Sequence, residues 1–426
     1  MPSPSSISCS LSKYYPKGTI YFYGFPAGEN SSFFNQVTPW KEELVAARPL
    51  TCAGEHVKAI AFNTSLDNDI WKIMTEELGI QLINKNQVIA LPDKITETVE
   101  GSKRNFAIKK AIREKISNKK LVMAQPYLQS EINEQYLIDS KLAIGMNDKS
   151  NIKLYIDAKH FPERYQIYTN GKKFEESKII PPLPCVVKVA SSSSGDGVRI
   201  CNTKEQFRKA QKDFSALKVK IFTEKFITSI FNLGIQFGIQ ANNGAIDIIG
   251  HNEQLVDGNG SYLGGVVNSY KKYPSIEKIY KLLQEEILPR VQKMGWFGVG
   301  GLDVLIDEKE DLFFIDPNFR MTAATSYLLM HKNGLIKYPT ISFMGEFKGS
   351  QEELIRKICP LGKENSRNQM MKVIAITKRK ESFGINAGIF FENISELKKN
   401  ALHLQKLGIT AGTLDRIVTS KYLHLE

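Results

Sequence analysis

Gly300-Gly301-Leu302-Asp303-Val304-Leu305-Ile306-Asp307 and, a short turn later, Leu312-Phe313-Phe314-Ile315-Asp316-Pro317-Asn318-Phe319-Arg320 are two apolar stretches, each with an acid set into it. Lys309 and Asp311 flank the intervening turn, as a hairpin requires. Side chains alternate along an extended strand, so Asp316, Asn318 and Arg320 fall on one face, and Asp303 can join them from the partner strand. Two carboxylates and an amide oxygen make a hard donor set that suits Mg²⁺ shared with phosphate oxygens. The neighbouring arginine suits a phosphoryl group in transfer. Read without that chemistry, the same residues are the wet face of an ordinary hairpin, which leaves unexplained why acids interrupt such apolar runs.

Upstream, Cys185-Val186-Val187-Lys188-Val189 is a β-prone run that delivers a lysine, and the chain then turns small and flexible through Ser191-Ser192-Ser193-Ser194-Gly195-Asp196-Gly197-Val198. Such a loop leaves backbone N–H groups free to wrap a polyphosphate, with the lysine adding a fixed positive charge. No Gly-Lys-Ser/Thr closes it, so it is not a Walker A loop. A solvent-exposed hairpin loop is the plainer alternative.

Four elements in order, Asn147-Asp148-Lys149-Ser150, Val187-Lys188 with Ser191 to Val198, Glu224-Lys225-Phe226-Ile227, and the acid pair ending in Asp316-Pro317-Asn318-Phe319-Arg320, resemble the ATP-grasp superfamily. The resemblance runs from roughly Ser140 to Met330. It implies that Lys149 and Lys188 contact ATP, with Ser193, Ser194, Gly195 and Gly197 in the flap and Glu224, Lys225, Phe226 and Ile227 at the adenine hinge. It further implies that Asp303, Asp316 and Asn318 hold Mg²⁺, with Mn²⁺ as an alternative. Arg320 and Lys188 are the catalytic candidates, Arg320 stabilising the transferring phosphate. The family's acid pair often contains glutamate, whereas both positions here are aspartate, a shorter side chain that still suits Mg²⁺. The Gly-rich stretch from Gln254 to Gly265 and the overall layout are similar to peptide-ligase-like members with a pre-ATP-grasp N-terminal domain.

Around this centre the chain alternates strand and helix. Runs at Thr19–Tyr23, Val57–Phe62, Gln87–Leu91 and Leu121–Ala124 are separated by helical patterns, including Ile70, Ile73, Met74 and Leu78 at helical spacing and a basic helix from about Arg104 to Ser117. This favours an α/β fold with a doubly wound parallel sheet. The expected organisation is an unstructured 1–18, a pre-ATP-grasp domain over 19–145, an ATP-grasp domain over 146–364 with its lid at about 184–227, and a small α+β unit over 365–426.

A chain of 426 residues exceeds one core, and 42% hydrophobic with 24% charged residues is ordinary for a globular protein. The net charge of +12 is spread over short, diluted lysine pairs, which argues against nucleic acid and membrane partners and for a solvated surface that also draws in anionic substrates. Five scattered cysteines without metal spacing point to a reduced, cytoplasmic setting and to burial as small hydrophobes. His251 alone among six histidines falls near the candidate site, and a structural role is expected for it. The resulting expectation is an ATP-dependent ligase that activates a small carboxylate as an acyl phosphate and passes it to an amine, an amino acid or peptide, releasing ADP and phosphate. A small-molecule kinase and a non-catalytic ATP-binding regulator share these motifs. A homo-oligomer is compatible with the sequence.

Overall fold

The four short apolar runs of the first unit form one parallel sheet. In the computed structural model, which describes residues 9–24, 39–92, 95, 101–124, 126, 131–192, 197–256, 262–269 and 272–419, its strand order is Val88–Leu91, Lys58–Phe62, Ile20–Phe22, Leu121–Met123. Ile20 stands opposite Lys58 on one side and Leu121 on the other, and Ala59 opposite Val88. Helix Gly101–Ile116 lays Ile108, Ile112 and Ile116 on Ile20, Phe22, Ile60 and Phe62. Helix Pro39–Ala47 lays Leu44 and Ala47 on Ala59 and Ala61 from the other face. Coverage on both faces is what a parallel sheet needs.

The expectation that residues 1–18 are unstructured fails for 9–18. Cys9, Leu11, Tyr14 and Tyr15 are buried. Tyr14 donates to Asp247 Oδ2 at 2.7 Å, Val299 N donates to the Tyr15 hydroxyl at 3.1 Å, and Cys9 N donates to Asn333 Oδ1 at 3.0 Å. A Ser/Pro-rich composition suggested a loose end; two aromatic rings outweigh it because they have somewhere to go. A side chain at Gly238 would collide with the Tyr14 ring.

The second sheet has nine strands in the order Leu312–Asn318, Gly298–Asp307, Ser229–Ile239, Ile246–Val256, Tyr262–Val267, Thr340–Lys348, Ser382–Phe390 and Met371–Lys378, with Ile409–Thr410 on Thr340–Lys348. Alternation sorts its faces. Leu233, Ile235, Phe237, Leu302, Val304, Ile306, Leu312 and Phe314 pack on one side against Ile279, Leu283, Ile287, Leu288 and Val291. The opposite side carries Gly234, Gln236, Gly301, Asp303, Asp316 and Asn318. The strands after residue 365 therefore extend the central sheet rather than form a sheet of their own. The helical residues Ile70, Ile73 and Met74 pack on this end, against Phe343, Val373, Ile376 and Phe383, and not on the first sheet.

The third sheet, antiparallel, runs Arg164–Tyr168, Ile221–Lys225, Cys185–Val189, Val198–Cys201. It starts near 164, earlier than the lid boundary expected at 184, because Arg164–Tyr168 pairs with Ile221–Lys225 across a long sequence gap. Helix Lys204–Phe214, opened by a Thr203/Gln206 capping box, seals one face with Phe207, Ala210 and Phe214 over Cys185, Val187 and Val189. That leaves Lys188 for the other face.

Candidate active site

The acids set into apolar strands meet. Asp303 stands directly opposite Asp316, and Gly301 opposite Asn318. The same row continues through Gly234 to Asn252. A side chain at Gly234 would run into Asn252 Oδ1, at 2.8 Å, and Gln254 Nε2, at 3.1 Å. The missing methyl group thus lets Gln254 reach across and hydrogen-bond Asp303. Burial and the neighbouring Asp316 carboxylate push the Asp303 carboxyl up to about 7, against the opposing effects of the Gln254 hydrogen bond and the charges of Lys149 and Arg320.

Two lysines approach from the other elements. Lys149, nearly fully buried, places Nζ 3.1 Å from Asp316 Oδ2 and donates to Ser192 O at 3.0 Å and Ser192 Oγ at 3.1 Å. It opens a short 3-10 turn whose Asp148 cap accepts from Ser150 N at 2.8 Å. Lys188 reaches down from the third sheet to donate to Ile315 O at 3.1 Å and pairs with Glu224 Oε1 at 2.6 Å, both side chains buried. Lys188 therefore bridges the third sheet and the acidic strand pair, and Lys149 bridges that pair and the segment just after strand Cys185–Val189.

Arg320 lies just past the end of its strand, where its backbone N–H donates to Asn318 O at 2.7 Å. It is buried, and Nη1 donates to Asn147 Oδ1 at 2.6 Å. Glu224 and Lys225 end strand Ile221–Lys225, with Glu224 buried on Lys188 and Lys225 exposed. Phe226 and Ile227, half-buried, form the connection from the third sheet to the central one. Gly197 O accepts from Val189 N at 2.8 Å, which ties the two ends of the Ser/Gly loop together. Ser193, Ser194 and Gly195 lie outside the described residues, as does the Gly-rich turn at 257–261.

Several residues were not anticipated. Arg164 donates to Lys149 O and Ser150 O, both at 2.5 Å, and its guanidinium lies 4.4 Å from the centre of the Phe222 ring. It fixes the Lys149 turn onto the third sheet. Gln236, buried, accepts from Thr325 Oγ1 at 2.9 Å and fills the space Gly301 leaves. Burial, with a smaller contribution from the Asp316 carboxylate, raises the pKa of the Tyr155 hydroxyl well above the ordinary range. None of these sits in a local pattern; each acts through a partner far away in sequence. His251 is structural, as expected: Nδ1 is 2.7 Å from the Tyr280 hydroxyl and the ring stands edge-on to Tyr273.

All five cysteines are free and buried. Among the described residues no helix is long and apolar enough to cross a membrane. An open groove of about 2260 Å³ lies elsewhere, between Leu335, Tyr338, Met370 and Leu402, and none of the candidate residues lines it.

Residues 162–318 match the family described as "L-aspartate--L-methionine ligase, ATP grasp". A D-alanine--D-alanine ligase of Trichlorobacter lovleyi is 27% identical over 156 residues, 36% of this chain and 49% of that protein, so the match spans about half the length of that relative. Among solved structures, biotin carboxylase from Campylobacter jejuni, as its beta-gamma-ATP complex, superposes with a TM-score of 0.54 at 13% identity, covering 95% of each chain. The L-amino acid ligase from Bacillus licheniformis gives a TM-score of 0.51 at 12% identity, covering 93% of this chain and 98% of that one.

Proposed function

From a chain of ATP-grasp fold, amino-acid-ligase-like in the sequence of its middle part, we propose an ATP-dependent ligase that joins a carboxylate to an amine through an acyl phosphate. The observation that carries this is the convergence of Asp303, Asp316, Asn318, Lys149 and Lys188 on one patch between two sheets. Asp303 and Asp316 as carboxylates, with the Asn318 amide, fit Mg²⁺: they are hard oxygen donors that the strand pairing brings onto one patch. The ion would draw negative charge from the phosphate oxygens. ATP would lie under the third sheet, with Lys149 and Lys188 on its phosphates, flap residues Ser193, Ser194, Gly195 and Gly197 over them, and Glu224 to Ile227 beside the base.

In the first step a substrate carboxylate oxygen attacks the γ-phosphorus in line, forming a P–O bond to the acyl oxygen while ADP leaves. In the second, an amine attacks the acyl carbon; the C–O bond to phosphate breaks, inorganic phosphate leaves and the amine loses a proton. Arg320, held by Asn147, offers a guanidinium to the oxygens on which charge gathers. The lid keeps water from the acyl phosphate.

The family description makes L-aspartate with L-methionine the first substrate pair to assay. The measurement is phosphate release over a panel of amino acids, with mass spectrometry of products. Phosphate and an amide are expected only when acid and amine are both present, and Asp316→Ala should lower kcat by a factor of about 100 or more. A phosphorylated product without an amide would make the protein a kinase, and undiminished turnover in Asp316→Ala would remove the site.

A further inference from the structure

Arg48 opens the turn Arg48–Thr51, directly after helix Pro39–Ala47, and is 5% exposed. Its Nη1 donates to the Tyr23 hydroxyl at 3.2 Å, its Nη2 to Met344 Sδ at 3.5 Å, and its guanidinium lies over the Tyr23 ring. Nε has no acceptor, and among the described residues no carboxylate pairs with this group. Nearby, the buried Arg104 has Glu42 at 3.3 Å. Arg48 has an aromatic ring, a hydroxyl and a sulfur instead. A buried guanidinium without an anion is costly, and the fold tolerates one where something else supplies the charge.

A second buried donor lies one residue away, across Met344. Asn386 is 1% exposed; its Oδ1 accepts from the Tyr327 hydroxyl at 3.3 Å, and its Nδ2 has no partner. Met344 links the two, since it stands directly opposite Asn386 in the sheet and its sulfur touches Arg48. A cation and an amide N–H₂, both with an unused N–H, therefore border the same methionine. What answers both is an acceptor with several lone pairs and a negative charge, which describes a carboxylate.

Its position suits a substrate. Tyr21 and Tyr23 point the same way along one extended segment, and the Tyr21 hydroxyl accepts from Met321 N, next to Arg320, at 3.2 Å. Two residues of extended chain span roughly 7 Å, about the length of an amino acid. Arg48 also sits at the carboxyl end of the first sheet's strand Ile20–Phe22, where ligands of open parallel sheets bind.

We propose that Arg48 and Asn386 form a subsite for the substrate carboxylate that is not activated. This rests on the ligase reading for what the carboxylate belongs to, and on the two buried donors for where it binds. Calorimetric titration of L-aspartate and of L-methionine, with and without Mg-ADP, tests it on wild type, Arg48→Met and Asn386→Asp. At least one amino acid should bind wild type and lose affinity about 30-fold in both variants, the loss of one charge-assisted contact pair. Asn386→Asp supplies the anion from within, so it should also raise the melting temperature while shutting the substrate out. That readout holds even where Arg48→Met fails to fold. Binding by wild type that neither variant weakens, or no binding of either amino acid, overturns the subsite. Amide formation with unchanged KM in Asn386→Asp would retain the ligase and discard the subsite; Arg48-dependent binding without any amide formed from ATP would do the reverse.

Discussion

At the scale of single residues, the protein spends burial on ionisable groups unevenly. His251 is held neutral: burial, reinforced by the charge of His331, lowers its pKa to about 4 from an ordinary 6.5. Below pH 6.5 the unfolded chain takes up a proton that the folded one refuses, so stability is full above that value and falls as pH drops toward 4. The expected loss is about 2 kcal/mol at pH 5. Urea denaturation at pH 7.5 and pH 5 checks this: His251→Phe should flatten the difference, and an unchanged pH dependence in that variant would assign it to other groups. The acids at 303 and 316 were legible in the sequence because polarity in an apolar alternating run is a local signal. Arg164, Gln254, Arg48 and Asn386 were not, since what makes each of them matter is a partner tens to hundreds of positions away, or the lack of one.

At the scale of elements, the third sheet is built so that its outward lysine matters to the sheet as well as to the site. Lys188 pairs with Glu224 across adjacent strands, and both are buried. Lys188→Ala leaves that carboxylate without its closest cation, with Arg164 as a more distant one, and should destabilise the third sheet by about 3 kcal/mol. The loss should appear as faster amide exchange confined to 164–225, and Lys188→Met combined with Glu224→Leu should restore protection. Uniform exchange across the molecule would show that the sheet does not open on its own. The late strands of this sheet were readable from Lys188 and the Ser/Gly loop. Its first strand, Arg164–Tyr168, was not, because a short polar edge strand carries little alternation and is recruited by a partner far downstream. The anchored segment 9–18 escaped for a similar reason: composition marked it as loose, while the glycine that receives Tyr14 stands in another layer.

At the scale of the whole molecule, the central sheet joins parts that the sequence suggested were separate. Thr340–Lys348 pairs with Ser382–Phe390 along its full length, and Met371–Lys378 continues the sheet beyond. A chain ending at residue 364 would expose that long, apolar edge and strip Val373, Ile376, Phe383 and Ile385 from the core that also holds Ile70, Ile73 and Met74. It should accumulate as aggregate, which gel filtration of the soluble fraction checks; a well-behaved monomer would show that residues 365–426 are an accessory. The sheet order could not be read from the sequence, since strand propensity says which residues extend but not which neighbour they choose.

The five enclosed thiols have a practical corollary. They are distributed over the layers, with Cys185 and Cys201 facing each other in the third sheet, Cys9 and Cys52 beneath the first sheet, and Cys359 under the far end of the central sheet. A maleimide can reach each one only while its own surroundings breathe. Timed alkylation followed by peptide mapping would therefore clock the opening of every layer in the native chain, without a label being engineered into it.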